Sequence, residues 1–246
     1  MFDLTGRTAL VTGAGQNVGA GIAAALARHG ATVAVNDLHA ARAQEVVDGI
    51  NALGAGRALA APFDVTDLAA VEEAVARIGA VDILVSNAGV GGEHPMAVEP
   101  FRRMDPAAWD GPIRVNLLGV MHGCKAVIDG MCERGWGRII TISSGAGTAG
   151  TRIGVSPYSA GKGGGLAFTR TLALEVARDG VTANSLALGM MARGEPEIDA
   201  ALARSIPVGR TGTPDDVGAA CVWLASEEAA WVTGQTIEIN GGSVTT

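Results

Sequence analysis

Short apolar runs alternate along the chain with longer segments in which apolar residues recur at helical spacing. Short runs rich in Val, Ile and Thr are typical of strands, whereas the longer periodic segments are typical of amphipathic helices. Several of the short runs are almost continuously apolar, as expected of parallel strands covered by helices on both faces. The predicted strands are 8–12, 32–36, 57–63, 83–86, 138–143, 182–187 and 236–240.

Two of the intervening helices have recognisable ends. The first is predicted over 18–29, because Gly30 suits the left-handed position that follows a helix. Another is predicted to begin after Thr213, which can cap the helix while Asp216 returns a hydrogen bond. Strands joined by such helices indicate a doubly wound α/β (Rossmann) fold, a mostly parallel sheet with helices on both faces. We expect a single domain over 1–246.

The composition favours a small-molecule partner. The chain has 246 residues, of which 48% are apolar, and its formal net charge is -7. This acidic balance, without any basic run, argues against a nucleic-acid surface or an anionic membrane anchor. We find no apolar stretch long enough to cross a bilayer, and the first residues lack the regions of a signal peptide. The expected location is therefore cytoplasmic.

The cysteines and histidines do not form a metal-binding pattern. None of them has the spacing of a metal or redox motif. We therefore predict reduced thiols and no metal site. The residues are Cys124, Cys132, Cys221, His29, His39, His94 and His122.

A glycine-rich segment joins the first strand to the first helix. Glycines at such a turn let the backbone approach a pyrophosphate, which the unpaired amides of the helix N-terminus stabilise. The spacing differs from the usual three-glycine fingerprint, so an ordinary structural turn explains this segment alone equally well. The candidate contacts are Gly13, Gly15, Gln16, Asn17, Val18 and Gly19.

The second strand ends at Asp37, followed by Leu38. A carboxylate here can accept hydrogen bonds from the adenosine ribose and would repel a 2'-phosphate. The nearest cation that could neutralise that phosphate is Arg42. The sequence therefore predicts NAD rather than NADP, with a solvated loop acid as the alternative interpretation of Asp37.

Tyr158, the only tyrosine, stands four residues before Lys162, one of two lysines. A helix places residues four apart on one face, so the ammonium can lie beside the phenol. A free tyrosine has a pKa of about 10, and an adjacent cation lowers it toward the range useful for acid-base catalysis. A surface tyrosine beside a solvated lysine is the alternative for the isolated motif.

Together these features resemble the short-chain dehydrogenase/reductase family, and the resemblance covers essentially the whole chain. Asp64-Val65 matches the family's adenine contact, and Asn87-Ala88-Gly89 matches its motif beside the cofactor. The ending at 240–242 (Asn-Gly-Gly) is also similar.

The resemblance implies four catalytic residues. Tyr158 would exchange a proton with the substrate oxygen, and Lys162 would stabilise the tyrosinate and bind the nicotinamide ribose. Ser144 would hydrogen-bond the same oxygen, although the residues alone leave two equal alternatives, Ser143 as the catalytic serine or Ser144 as a simple strand-end cap. Asn116 would order a proton-relay water. Cofactor contacts would further include Tyr158, Lys162, Gly189 and Met191.

The implied reaction is NAD(H)-dependent interconversion of a ketone and a secondary alcohol, with a 3-oxoacyl-reductase-like substrate leading. The alternatives are an NADP-dependent carbonyl reductase, a sugar or steroid alcohol dehydrogenase, and a non-catalytic nucleotide-sensing protein. The substrate would lie between 91–96, the glycine-rich stretch after Ser144 and a lid at 190–205 with an acidic segment.

Several residues depart from the family pattern. Asn17 replaces a phosphate-turn glycine, but asparagine tolerates left-handed conformations. Leu188 stands where a proline is usual. Glycines crowd the predicted catalytic helix, which suggests close packing against a partner's helix in a homodimer or homotetramer. These glycines are Gly161, Gly163, Gly164 and Gly165.

Overall fold

The computed structural model describes residues 1–54, 56–90 and 96–245. The strands of this part of the chain are β1 (Thr8–Val11), β2 (Thr32–Val35), β3 (Arg57–Ala60), β4 (Ile83–Ser86), β5 (Gly137–Ser144), β6 (Val181–Leu188) and β7 (Thr236–Ile239). They form one parallel sheet in the order β3-β2-β1-β4-β5-β6-β7. Successive strands are added on one side of β1 up to β3 and on its other side from β4 onward. This reversal of strand order between β1 and β4 opens a crevice at the carboxyl ends of the strands. The predicted fold class is confirmed.

Helices connect these strands and cover the sheet. The α-helices are α1 (Asn17–Arg28), α2 (Ala40–Ala52), α3 (Leu68–Ile78), α4 (Asp110–Ile113), α5 (Gly119–Arg134), α6 (Gly145–Thr148), α7 (Ser156–Val176), α8 (Pro196–Ala203) and α9 (Pro214–Ala225). A π-helical turn, Arg114–Leu118, joins α4 to α5. Short 3₁₀ turns are Phe101–Arg103, Pro106–Ala108, Ala177–Asp179 and Glu227–Ala229.

The sheet separates two apolar cores. Buried residues of α1, α2 and α9 form one cluster, and those of α3, α5 and α7 form the other. Successive strand residues contribute to opposite clusters: Val33 and Val35 belong to the first, and Ala34 to the second. Both faces of the central strands are therefore buried, which explains their continuously apolar sequences.

The predicted element ends are close to the observed ones, with one informative exception. Gly30 follows α1 with φ +98°, and the Thr213 N–H donates to Asp216 at 2.7 Å before α9, as expected. The predicted third strand, 57–63, extends too far, because β3 stops at Ala60. Ala61 and Phe63 are buried, so their apolar character reflects the core rather than continued strand pairing.

The glycines of α7 pack within the chain itself. A Cβ at Gly161 would lie 2.9 Å from the carbonyl oxygen of Pro112 and 3.1 Å from the Cβ of Asn116. A Cβ at Gly164 would lie 3.2 Å from Leu117. The glycines let α7 approach α4 and the π-helical turn, which gives them a packing role within the chain. Packing of this helix against a partner's helix stays a prediction.

Candidate active site

A cleft of about 440 Å³ lies at the carboxyl ends of the strands, at the reversal of strand order. It collects nearly all of the predicted site residues, which otherwise lie far apart along the chain. Asn116 and Gly15 do not line it. The predicted residues that line the cleft are Gly13, Gln16, Asn17, Val18, Gly19, Asp37, Leu38, Asp64, Val65, Asn87, Ala88, Gly89, Ser144, Tyr158, Lys162, Gly189 and Met191.

The glycine turn between β1 and α1 has space for backbone only. Gly13 adopts φ +61°, and a Cβ there would lie 2.7 Å from the Ala88 Cα. A Cβ at Gly19 would overlap the Gly13 carbonyl oxygen. Asn17 is left-handed, with φ +49°, as expected for a residue that replaces a glycine. Since Gln16 provides no side-chain cap for α1, the turn presents helix-terminal amides that suit an anion such as pyrophosphate.

Asp37 is held at the end of this cleft where the sequence predicts the adenosine ribose to lie. Its Oδ2 accepts a hydrogen bond from the Gly15 N–H at 3.2 Å, and its Oδ1 accepts one from the His39 N–H at 2.9 Å. A Cβ at Gly15 would lie 2.6 Å from the Asp37 Oδ2, which explains why glycine occupies that position. Each carboxylate oxygen retains acceptor capacity for a ribose hydroxyl. Arg42 lines the same end of the cleft.

The Thr12 side chain connects the glycine turn after β1 to the segment that follows β4. The sequence did not predict this role. Its Oγ1 accepts hydrogen bonds from the N–H groups of Asn87 at 3.0 Å and Ala88 at 3.1 Å. The Asn87 side chain donates to the carbonyl oxygens of Thr12 and Gly13, both at 2.9 Å. Asn87 thus borders the cleft while its side-chain amide holds the turn between β1 and α1.

Asn116 fixes the loop that follows β4. Its Nδ2 donates to the Val90 carbonyl oxygen at 2.7 Å and to the Pro112 carbonyl oxygen at 2.8 Å, while the Val90 N–H donates to its Oδ1 at 3.2 Å. Val90 has φ +76°, an unfavourable conformation for a β-branched residue, and these bonds hold it there. Asn116 lies in the π-helical turn rather than in a regular helix. The water-ordering role implied for it stays a prediction.

Tyr158 and Lys162 lie on the first turns of α7, at the other end of the cleft. The Lys162 Nζ is 5.9 Å from the centre of the Tyr158 ring and donates to the Ile142 carbonyl oxygen at 2.7 Å. The Ser143 hydroxyl is buried and donates to the Lys162 carbonyl oxygen at 3.3 Å. The Ser144 hydroxyl accepts a hydrogen bond from the Ala146 N–H at 3.2 Å and lies close enough to Tyr158 to lower the pKa of the phenol. This arrangement favours Ser144 over Ser143 as the partner of the phenol.

Burial dominates the acid-base properties of this pair. It raises the pKa of Tyr158, and the nearby Ser144 hydroxyl opposes that shift without reversing it. The expectation that the neighbouring lysine lowers the pKa of the phenol is therefore wrong for the structure described here. Burial also lowers the pKa of Lys162 to about 8, since a low-dielectric environment disfavours the ammonium.

The segment after β6 forms the remaining wall. Leu188, Gly189 and Met191 line the cleft, and Met191 forms a parallel bridge with Gly212 that anchors the base of the predicted lid. Leu188 thus occupies the position of the usual proline without removing this segment from the site.

The acidic residues of the predicted lid do not form an inward anionic surface. The Asp199 carboxylate accepts hydrogen bonds from the N–H groups of Arg193 at 2.9 Å and Gly194 at 3.1 Å. Glu195 and Glu197 are exposed. Of the predicted substrate wall 91–96, residues 91–95 lie outside the described part of the chain.

Several lining residues were missed because single apolar or polar residues near strand ends carry little signal. Asn36, a buried polar residue directly after a strand, was the most detectable of them. They are Asn36, His39, Phe63, Val90, Val115 and Ile142.

We also searched residues 1–54, 56–90 and 96–245 for metal sites and membrane-spanning helices. Within these ranges, no cluster of three or more His, Cys, Asp or Glu side chains could hold a metal ion. No helix in them has the length and apolar character needed to cross a membrane.

Comparisons with known proteins agree with this geometry. The model of the short chain dehydrogenase family matches residues 7–196. Nodulation protein G of Azospirillum brasilense is 41% identical over 250 residues, which cover 96% of this chain and 97% of the relative.

Solved structures superpose over nearly the whole chain. A 3-oxoacyl-(acyl-carrier protein) reductase with bound NAD from Brucella melitensis has a TM-score of 0.92 and 33% identity, covering 99% of this chain and 94% of its own. A gluconate 5-dehydrogenase from Burkholderia cenocepacia in complex with NADP and tartrate has a TM-score of 0.88 and 35% identity, covering 98% and 96%. With its sheet order, glycine turn and tyrosine-lysine pair, the chain belongs to the short-chain dehydrogenase family.

Proposed function

We propose that this protein is an NAD(H)-dependent oxidoreductase that interconverts a ketone and a secondary alcohol, with Tyr158 as the general acid and base. One observation carries the proposal. A single cleft joins a glycine turn and Asp37 at one end to Ser144, Tyr158 and Lys162 at the other. The first end suits a dinucleotide, and the second suits proton transfer to an oxygen.

A nicotinamide cofactor, when bound, supplies or accepts the hydride. In ketone reduction, Tyr158 donates its proton to the substrate oxygen as negative charge develops there, and Ser144 donates a hydrogen bond to the same oxygen. The Lys162 ammonium then offsets the charge of the tyrosinate, and it would donate a hydrogen bond to the nicotinamide ribose of a bound cofactor. In alcohol oxidation, the tyrosinate accepts the proton. Asn116 holds the Val90 loop beside this end of the cleft.

The raised pKa of Tyr158 is compatible with this role. A phenol that stays protonated at neutral pH is available as a donor in the reducing direction, and burial near Lys162 strengthens the attraction between the tyrosinate and the ammonium once the proton has left. Lys162 therefore acts on the product of proton transfer more than on the resting phenol.

NAD is the proposed cofactor because the Asp37 carboxylate is fixed where the adenosine ribose would lie. A 2'-phosphate would meet this negative charge. Arg42 lines the same region and is the group that could accommodate NADP, the cofactor bound by the gluconate 5-dehydrogenase relative. The fixed carboxylate favours NAD over this alternative.

A 3-oxoacyl thioester is the leading substrate class, in keeping with the reductase from Brucella melitensis. Its reacting ketone would meet Ser144 and Tyr158, while the segment 190–205 would act as a lid over one dinucleotide-binding and catalytic domain. The relative named as a gluconate 5-dehydrogenase makes a sugar acid the second candidate. A homodimer or homotetramer and a cytoplasmic location remain predictions.

The proposal is tested by following nicotinamide absorbance with NADH and NADPH over a panel of 3-oxoacyl thioesters, simple ketones and keto sugar acids. We expect oxidation of NADH with a 3-oxoacyl thioester. Binding of NADH without turnover of any ketone or alcohol would instead support a nucleotide-sensing protein.

The pH profile of ketone reduction should report on Lys162. Burial lowers the pKa of Lys162 to about 8, so its positive charge is present below that pH and is lost above it. We expect kcat/KM to fall as the pH rises through about 8, since the neutral amine no longer stabilises the tyrosinate.

The matched variant is Lys162→Arg, because a guanidinium stays protonated over this range. In a folded Lys162→Arg protein, the alkaline limb should move to higher pH, whatever the absolute rate. An alkaline limb at the same pH in both proteins would assign it to another group.

A further inference from the structure

Asn36 is a buried asparagine directly after β2, at the floor of the cleft between the glycine turn and the Asp64 segment. It is 1% exposed. The roles proposed above do not include it, although it lies at the adenosine end of the site.

The side-chain amide of Asn36 connects the loops that follow β1 and β3. Its Oδ1 accepts a hydrogen bond from the Gly13 N–H at 3.2 Å. Its Nδ2 donates to the carbonyl oxygens of Ala61 at 3.1 Å and Phe63 at 3.0 Å. The Asn36 main-chain carbonyl also accepts from the Ala14 N–H at 2.6 Å.

These bonds occupy both donors and one acceptor site of the side chain. The carbonyl of Phe63 immediately precedes Asp64, and Gly13 is the first glycine of the phosphate turn. The Asn36 side chain therefore links the phosphate turn directly to the segment that leads into Asp64. A residue without an amide would leave buried main-chain groups unpaired, which favours rearrangement of both loops.

We infer that Asn36 is the positioning residue for the adenosine half of the nicotinamide cofactor. It holds the Gly13 turn and the Asp64 segment at the separation that this half of the cofactor requires. Tyr158, Ser144 and Lys162 stand beyond β4, on the other side of the strand-order reversal, and are not bonded to it. Asn36 should thus control cofactor affinity with little effect on proton transfer. The inference rests on the proposed cofactor site.

Asn184 provides a matched control. It is also 1% exposed, and its amide likewise joins main-chain groups: Nδ2 donates to the Val232 carbonyl oxygen at 2.8 Å, and Oδ1 accepts from the Gln235 N–H at 3.0 Å. It lies on β6 and does not line the cleft. Asn36→Ala and Asn184→Ala therefore remove similar buried interactions at different places.

The experiment compares the two variants by thermal unfolding of the free protein and by titration with NADH, ADP-ribose and reduced nicotinamide mononucleotide. Both variants should lose stability. Only Asn36→Ala should weaken the binding of NADH and ADP-ribose, with an increase in Kd of about tenfold or more, as expected when a hydrogen-bonded network is lost. Its affinity for the mononucleotide, which lacks the adenosine half, should stay within about twofold of the parent.

With any ketone that the parent reduces, Asn36→Ala should raise KM for NADH while kcat stays close to that of the parent. The inference would be overturned if both variants weakened ADP-ribose binding equally. It would also be overturned if Asn36→Ala weakened the binding of ADP-ribose and of the mononucleotide equally. If Asn36→Ala does not fold, Asn36→Ser takes its place, because the serine hydroxyl replaces part of the lost hydrogen bonding. The same comparison then applies: its affinities for ADP-ribose and for the mononucleotide, each relative to the parent.

The binding titrations separate this inference from the proposed reaction. Normal NADH binding by the parent without turnover of any ketone would contradict the reaction, and the two variants would still test Asn36.

Discussion

Replacing Tyr158 with phenylalanine should lower kcat for ketone reduction by about a hundred- to ten-thousand-fold, the range that general acid-base catalysis contributes. The change removes only the hydroxyl, while the partly buried ring keeps its packing at the end of the cleft. NADH affinity should change little, because the proposed contacts of the other half of the cofactor, the glycine turn and Asp37, are left intact. The measurement is steady-state turnover together with NADH titration.

Ser143→Ala and Ser144→Ala provide the accompanying comparison. The Ser143 hydroxyl donates to the main chain of α7, whereas the Ser144 hydroxyl lies close enough to Tyr158 to lower its pKa. We expect Ser144→Ala to reduce kcat strongly and Ser143→Ala to act mainly on stability. A Tyr158→Phe protein with parental kcat would remove the proposed acid from the mechanism.

Replacing Asp37 with serine should shift cofactor preference from NAD toward NADP. Hydrogen bonds to a charged group contribute about 1.5–3 kcal/mol, so the loss in kcat/KM for NADH should be about ten- to a hundredfold. The efficiency with NADPH should rise, because the repulsion of the 2'-phosphate is gone and Arg42 lines the same region. Steady-state kinetics with both cofactors measures the ratio.

Two variants distinguish a charge effect from disruption of the turn. Asp37→Asn keeps an oxygen for the N–H groups of Gly15 or His39 without the charge, and it should shift preference in the same direction. Adding Arg42→Gln to Asp37→Ser should reverse the gain with NADPH. Equal losses with both cofactors would mean that Asp37 serves only to hold its neighbours' amides.

The sheet was predictable because its strands carry a repeated local signal. The run at 83–86 is a short, buried apolar segment, and the predicted strand matches β4 residue for residue. The run at 57–63 shows where this approach fails. Phe63 packs into the core after the strand has ended, and burial outside a strand produces the same apolar pattern.

The candidate site was predictable where motifs carry it and was not where distant contacts determine it. The positions of Tyr158 and Lys162 on one helix follow from their spacing, but the burial that raises the pKa of the phenol comes from other elements. The glycines of α7 were visible in the sequence, whereas the segment that they contact, around Pro112 and Asn116, lies on a separate element.

Asn36 illustrates the same distinction on the cofactor side. Its three side-chain partners come from the turn after β1 and the loop after β3. No local pattern reports such a connection. A buried amide at the carboxyl end of a parallel strand is nevertheless a feature to look for when a sequence indicates this fold.

The central claim is hydride transfer between a nicotinamide and a carbonyl carbon, and isotope transfer tests it most directly. The protein is incubated with NADH deuterated at the reacting carbon of the nicotinamide, prepared separately for each face, together with a 3-oxoacyl thioester. We expect one of the two preparations to place deuterium on the carbinol carbon of the product, and we expect Tyr158→Phe to slow its appearance greatly. An alcohol product without deuterium from either preparation, or no reduction of any ketone in the panel, would contradict the account.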